Sequence, residues 1–156
     1  MRAPPTGDGK EERMGRKPKA AAAPKQVEPK KRSEITVLVV DDEMNLTLAM
    51  RRLLSAEGDR TETANSGEEA LHKAKEAHFD IIFLDVNMPG MNGLETFVKL
   101  GAAAPKSAVV MITGYGKTLK AVIEEARSLG VRAVIDKPFK INQITEAIRA
   151  IIPHAD

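Results

Sequence analysis

Residues 35–43 read Ile-Thr-Val-Leu-Val-Val-Asp-Asp-Glu. The first six are an apolar, mostly β-branched run of the kind that forms a strand buried on both faces of a sheet. A strand covered on both faces needs helices on both sides, and the next segment supplies one. Leu46, Ala49, Met50, Leu53 and Leu54 recur at helical spacing, and Gly58 suits the left-handed position just past a helix C-terminus. The chain therefore opens its folded part with a strand-then-helix unit whose strand ends in three acidic residues.

The unit recurs. A weak strand over Arg60–Ala64 leads through Ser66-Gly67 into a helix over 67–77, and FDIIFL (79–84) forms a third strand before the loop NMPGMNG (87–93) and a short helix from Gly93. SAVVMI (107–112) reads as the fourth strand, followed by a helix over 117–129 that stops at Gly130. VRAVI (131–135) is the fifth strand and INQITEAIRAII (141–152) a last amphipathic helix. Five such units predict an α/β fold, a doubly wound five-stranded parallel sheet with five helices.

Upstream the texture differs. Residues 1–33 are rich in Pro, Gly, Ala and Lys and hold almost no large apolar side chains, so they cannot bury enough surface to offset the entropy of ordering; a disordered basic tail is expected there, and one folded domain over 34–153. Residues 1–34 carry ten Lys/Arg against five Asp/Glu, which leaves 14 basic against 17 acidic residues in 35–156. The tail's KPKAAAAPK and PKKR stretches could touch nucleic acid weakly through phosphates, although a solvated extension is the plainer reading. No apolar run approaches the ~20 residues that cross a bilayer and the first residues lack a signal-peptide core, so a cytoplasmic protein without membrane contact is expected. The absence of Cys removes disulfides, thiolate nucleophiles and zinc-thiolate sites, and His72, His78 and His154 are too scattered to suggest a ligand set.

In an open parallel sheet, ligands bind outside the carboxyl ends of the strands. Four of the five ends carry polar groups: Asp41-Asp42-Glu43, Asp85, Thr113 and Lys137. Taken singly, an Asp at such a junction is a good helix N-cap, a Thr suits a turn and a Lys beside Pro is simply solvated. Together they point to chemistry. Asp41, Asp42 and Asp85 brought close would repel one another unless a cation neutralised them, and an all-oxygen site without His or Cys suits Mg²⁺ or Mn²⁺. Asp85 could then attack phosphorus as a carboxylate nucleophile, with Lys137 offsetting charge on the phosphoryl oxygens and Thr113 and the Gly114 N–H donating to the product.

DDE (41–43), DVNMPGMNG (85–93), MITGYG (111–116) and DKPF (136–139), in this order and spacing, resemble the receiver domain of two-component response regulators over about residues 35–152. The resemblance implies a flavodoxin-like sheet of strand order 2-1-3-4-5, similar to single-domain chemotaxis regulators. It makes Asp85 the phosphorylation site, with Asp42 and Asp85 as direct metal ligands, Asp41 acting largely through water and the Asn87 backbone carbonyl completing the set. It also implies a sensor histidine kinase or a histidine phosphotransfer protein as phosphodonor, Thr113 and Lys137 as sensors of the acyl phosphate, and a cis bond between Lys137 and Pro138. Such a domain is a self-phosphorylating and self-dephosphorylating switch, not a metabolic enzyme; Asn87 and Tyr115 would border the hydrolytic water. Its output face would be 117–152, meeting a downstream protein or a second copy in a homodimer. One departure stands out: family members often carry Tyr or Phe where this chain has Val134, so no aromatic rotamer switch is expected.

Other readings fit less well. A flavodoxin-like cofactor module would have to cradle phosphate in a loop that here holds Asp41-Asp42-Glu43. A haloacid-dehalogenase-type phosphatase wants a second acid two residues after the nucleophile, where this chain has Asn87. A phosphorylation-independent interaction module would not need the full set of site residues, and a phosphorelay intermediate remains the alternative within the receiver reading. Met88, Met91 and Met111 are expected to fill the core.

Overall fold

A computed structural model describes residues 30–88, 93–114 and 120–153. In it β1 (Thr36–Val40), β2 (Arg60–Ala64), β3 (Ile81–Asp85), β4 (Ala108–Thr113) and β5 (Ala133–Asp136) form one sheet. The helices are α1 (Met44–Ala56), α2 (Gly67–Glu76), α3 (Gly93–Ala103), α4 (Lys120–Ser128) and α5 (Ile141–Ile151). All pairings are parallel and the order is β2-β1-β3-β4-β5. The order reverses between β1 and β3, which sets their carboxyl ends beside a crevice.

Strand alternation divides the core into two halves. Val37, Val39, Ile81, Phe83, Val110, Ile112 and Ile135 face Met50 and Leu54 of α1 and Ile144 and Ile148 of α5. Leu38, Val40, Ile82, Leu84, Val109 and Met111 face the other way, toward Ala70 and Ala74 of α2, Phe97 and Leu100 of α3 and Ala126 of α4. Full burial of one such Val, Leu, Ile or Phe side chain contributes about 1.5–3 kcal/mol. Met88 and Met111 are core residues as expected, while Met91 lies outside the described residues.

Several details depart from the sequence reading. On α1 the buried stripe is Thr47, Met50 and Leu54, whereas Ala49 and Leu53, expected to face the core, point to solvent. Thr47 can replace an apolar residue there because its hydroxyl donates to Met44 C=O at 2.9 Å. The fifth strand begins at Ala133, not Val131, since the Val131 N–H closes the turn onto Ala126 C=O. The start expected for the fourth helix, residue 117, lies outside the described residues.

The tail boundary also moves. Residues 30–33, expected to be disordered, dock against the pole opposite the strand carboxyl ends. The Lys30 N–H donates to Pro153 C=O at 2.9 Å, and its ammonium to Asp80 Oδ1 at 2.9 Å. A 3-10 turn over Arg32–Glu34 then sends the Arg32 guanidinium to Asp59 Oδ2 at 2.7 Å, where the carboxylate is fully buried. Ion pairs with buried carboxylates hold this segment where hydrophobic content could not, so the folded unit includes Lys30.

Candidate phosphoacceptor site

Asp41 follows β1 directly and is 2% exposed; Asp85 is the last residue of β3 and is 3% exposed. Each carboxylate is oriented by the chain just beyond it: Asp41 Oδ1 accepts the Glu43 N–H at 2.9 Å, and Asp85 Oδ1 accepts the Asn87 N–H at 3.1 Å. Asn65, after β2, supports the first loop by donating its amide to Asp41 C=O at 2.9 Å. Asp42 is exposed, and carboxylate oxygens of Asp41, Asp42 and Asp85 lie within 4.8 Å of one another.

Lys137 follows β5 and reaches across two strands. Its ammonium lies 3.0 Å from Asp41 Oδ2, 3.4 Å from Asp85 Oδ2 and 3.8 Å from Glu43 Oε1. The sequence reading assigned neutralisation of the acids to a metal; Lys137 already supplies one positive charge between two of them. The bond between Lys137 and Pro138 is cis, as the resemblance implied.

The electrostatics follow from burial and proximity. Burial, with the Asp41 charge beside it, pushes the Asp85 carboxyl up to about 6, although the Asn87 N–H and Lys137 pull the other way. For Lys137, burial alone would lower its pKa. The hydrogen bond to Asp41 and the charges of Asp85 and Asp41 outweigh that, and the ammonium is held above its ordinary range. A hard dication fits the donor set, since three carboxylates converge without His or Cys and Asp42 is open to solvent.

Thr113 reaches the same edge, but its hydroxyl points elsewhere: it donates to Asp136 Oδ1 at 2.9 Å. Sequence reading missed this partner, although Asp136 stood inside a motif it quoted. Gly114 lies near the site, where an added Cβ would sit 4.0 Å from Asn87 Nδ2. Tyr115 lies outside the described residues. The cavity of about 400 Å³ between Ala74–His78 and Ala103–Ser107 opens beside the amino ends of β3 and β4, away from this chemistry.

Residues 37–149 match the family model of the response regulator receiver domain. This chain belongs to the response regulator receiver family. Among relatives, it is 29% identical to sporulation initiation phosphotransferase F of Bacillus subtilis over 75% of this chain and 93% of that protein. Among solved structures, the receiver fold matches Vibrio cholerae chemotaxis protein CheY4 with TM-score 0.68 and 30% identity, covering 76% of this chain and 98% of that one. It also matches the response regulator TrrA of Thermotoga maritima in complex with Mg²⁺-BeF, with TM-score 0.66 and 28% identity over 76% and 99% of the two chains. The receiver spans only about half, or about a quarter, of the length of the transcriptional regulatory proteins it also matches. Receiver domains are signalling switches of two-component systems and bind Mg²⁺ at an acidic pocket, and this chain has an acidic cluster of Asp41, Asp42 and Asp85. No helix among the described residues is long and apolar enough to cross a membrane.

Proposed function

We propose that Asp85 accepts a phosphoryl group from a phosphohistidine of a sensor histidine kinase or histidine phosphotransfer protein. The observation that carries this reading is the convergence of Asp41, Asp42 and Asp85 on one edge with the Lys137 ammonium between two of them. Asp85 Oδ2, as the carboxylate, attacks phosphorus, the P–N bond to the donor imidazole breaks, and the imidazole nitrogen keeps the electron pair and takes a proton from solvent. The Asn87 N–H holds the other oxygen, Oδ1, so that the attacking oxygen is presented in one orientation. Burial favours attack because a carboxylate with fewer waters to shed is the better nucleophile. Lys137 exchanges a contact with Asp85 Oδ2 for one with the incoming phosphoryl oxygens.

Mg²⁺ or Mn²⁺ would be held by Asp41, Asp42, Asp85 and the Asn87 backbone carbonyl, and would offset the negative charge spread over the transferring group. Once Asp85 is modified, Thr113 and Lys137 shift toward the phosphoryl group, and the change passes to the 117–152 face. That face is the site of output through a downstream protein or a second copy. The β5 edge supports this role, since Ala133 and Val134 are only partly buried and their strand pairs on one side alone. The basic residues before Lys30 contribute at most weak phosphate contacts in this reading.

Intact-mass analysis after incubation with acetyl phosphate or phosphoramidate and Mg²⁺ tests the reading. One added phosphoryl mass is expected, absent in Asp85→Asn and in chelator. No label with any donor would replace the reading with a phosphorylation-independent interaction module. Rapid passage of the label to a second histidine protein would favour a relay role.

A further inference from the structure

Thr113 is 1% exposed, and its hydroxyl donates to Asp136 Oδ1 at 2.9 Å. The two residues are register partners at the last rung of the β4–β5 ladder, and the same rung is tied by the Lys137 N–H to Thr113 C=O at 2.7 Å. Asp85 pairs with Ile112, one residue before Thr113. By strand alternation Thr113 and Asp136 leave the sheet on the face opposite Asp85, while Lys137, one residue after Asp136, returns to Asp85's side and reaches it. A hydroxyl carries one proton. While Thr113 donates it to Asp136, it cannot donate it to a phosphoryl oxygen on Asp85.

We infer that Asp136 is a latch, a positioning residue that holds the Thr113 hydroxyl away from Asp85 and so sets how readily the domain enters its phosphorylated conformation. The inference rests on Asp85 being the phosphoacceptor. A hydroxyl bound to an ionised carboxylate is held more firmly than one bound to a neutral acceptor. Asp136 is exposed, so water replaces part of what it loses on release. Any ligand that needs Thr113 released binds with an affinity reduced by the fraction of molecules in which it is released. Asp136 and Lys137 sit on opposite sides of one strand end. Release of the first and movement of the second therefore act on β5 together, a route into the output edge that needs no aromatic side chain at Val134.

The test uses Mg²⁺-fluoroberyllate as a phosphoryl-shaped probe, with affinity measured by calorimetry, alongside acetyl phosphate labelling by intact mass. Asp136→Ala should bind the probe more tightly by up to about tenfold, because a hydrogen bond to a charged group is worth at least that factor before solvent screening. Asp136→Asn, whose amide oxygen still accepts, should gain less, and it keeps the test open if the Ala variant folds poorly. In a Thr113→Ala background the gain from Asp136→Ala should vanish, which a merely structural role would not produce. Unchanged affinity in Asp136→Ala, or the same gain with and without Thr113, overturns the latch, while wild-type labelling at Asp85 leaves the phosphoacceptor reading standing. A wild-type chain that neither binds the probe nor takes label overturns both.

Discussion

The Lys137 ammonium lies 3.0 Å from Asp41 Oδ2, joining the end of β5 to the end of β1 across the two strands between them. The same ammonium touches Asp85 at 3.4 Å, so one cation screens the two buried acids from each other. Removing it should raise the Asp85 pKa above its value of about 6, because Lys137 is one of the groups holding it down. Carbon-detected NMR titration of the Asp carboxyls in metal-free Lys137→Met checks this; an unchanged Asp85 midpoint would mean the contact carries no electrostatic weight.

A raised carboxyl pKa makes a definite stability prediction. The folded chain holds a proton on Asp85 up to about pH 6, whereas the unfolded chain releases it near 3.8. The folded state thus binds more protons between these values, and without metal the Asp85 contribution to stability falls as pH rises from 4 to 7. The penalty at pH 7 is on the order of 3 kcal/mol. Asp85→Asn should recover most of it at pH 7.5 and little at pH 4, as measured by urea unfolding in chelator.

Divalent cation should offset the same penalty. Added Mg²⁺ at pH 7.5 is expected to raise the thermal midpoint of the wild type, since a ligand of the folded state alone stabilises it by mass action. Asp85→Asn and Asp41→Asn should respond far less, and an equal response in all three would place the cation elsewhere.

The docked segment before β1 is expected to matter for stability but not for chemistry. Arg32→Ala removes the guanidinium from a fully buried carboxylate and should cost about 2–3 kcal/mol in urea unfolding. Deleting residues 1–29 should cost little, whereas deleting 1–33 should match or exceed the Arg32→Ala loss. Labelling of Asp85 should persist in each variant that folds.

Gly93 is a tighter constraint than its place in a loop motif suggests. A Cβ there would collide with Val86 Cα and lie 2.6 Å from Asp85 C=O, both backbone atoms that cannot step aside cheaply. Its N–H also donates to Val86 C=O at 2.8 Å, so α3 starts directly against the chain that carries Asp85. Gly93→Ala should cost several kcal/mol, on the order of 3, and slow acetyl phosphate labelling, because repair of the clash must move Asp85 or α3.

The apolar runs at 36–40, 81–85 and 108–113 were legible because strands buried on both faces leave a continuous hydrophobic signature. The edge strand Arg60–Ala64, polar on its outer face, was legible only through its position between two helices. Asp85, Thr113 and Lys137 were found because they stand where such runs stop. Asp59 and Asp80 gave no signal: a lone Asp beside Gly or at a strand entrance is ordinary in sequence, and its value comes from Arg32 or Lys30 arriving from 27 or 50 residues away.

What the amino-acid sequence determined by itself was the alternation of strands and helices and the identity of the groups at the strand ends, since both depend on local periodicity and on which residues can end a run. Tertiary structure decided how those groups are partnered. Lys137 rests on Asp41 as well as Asp85, Thr113 is turned toward Asp136, and the root of the basic segment is pinned by Asp59 and Asp80. Each of these pairings joins residues 23 or more positions apart, brought within hydrogen-bond reach by the packing of strands and the segments between them, and no local pattern encodes that distance.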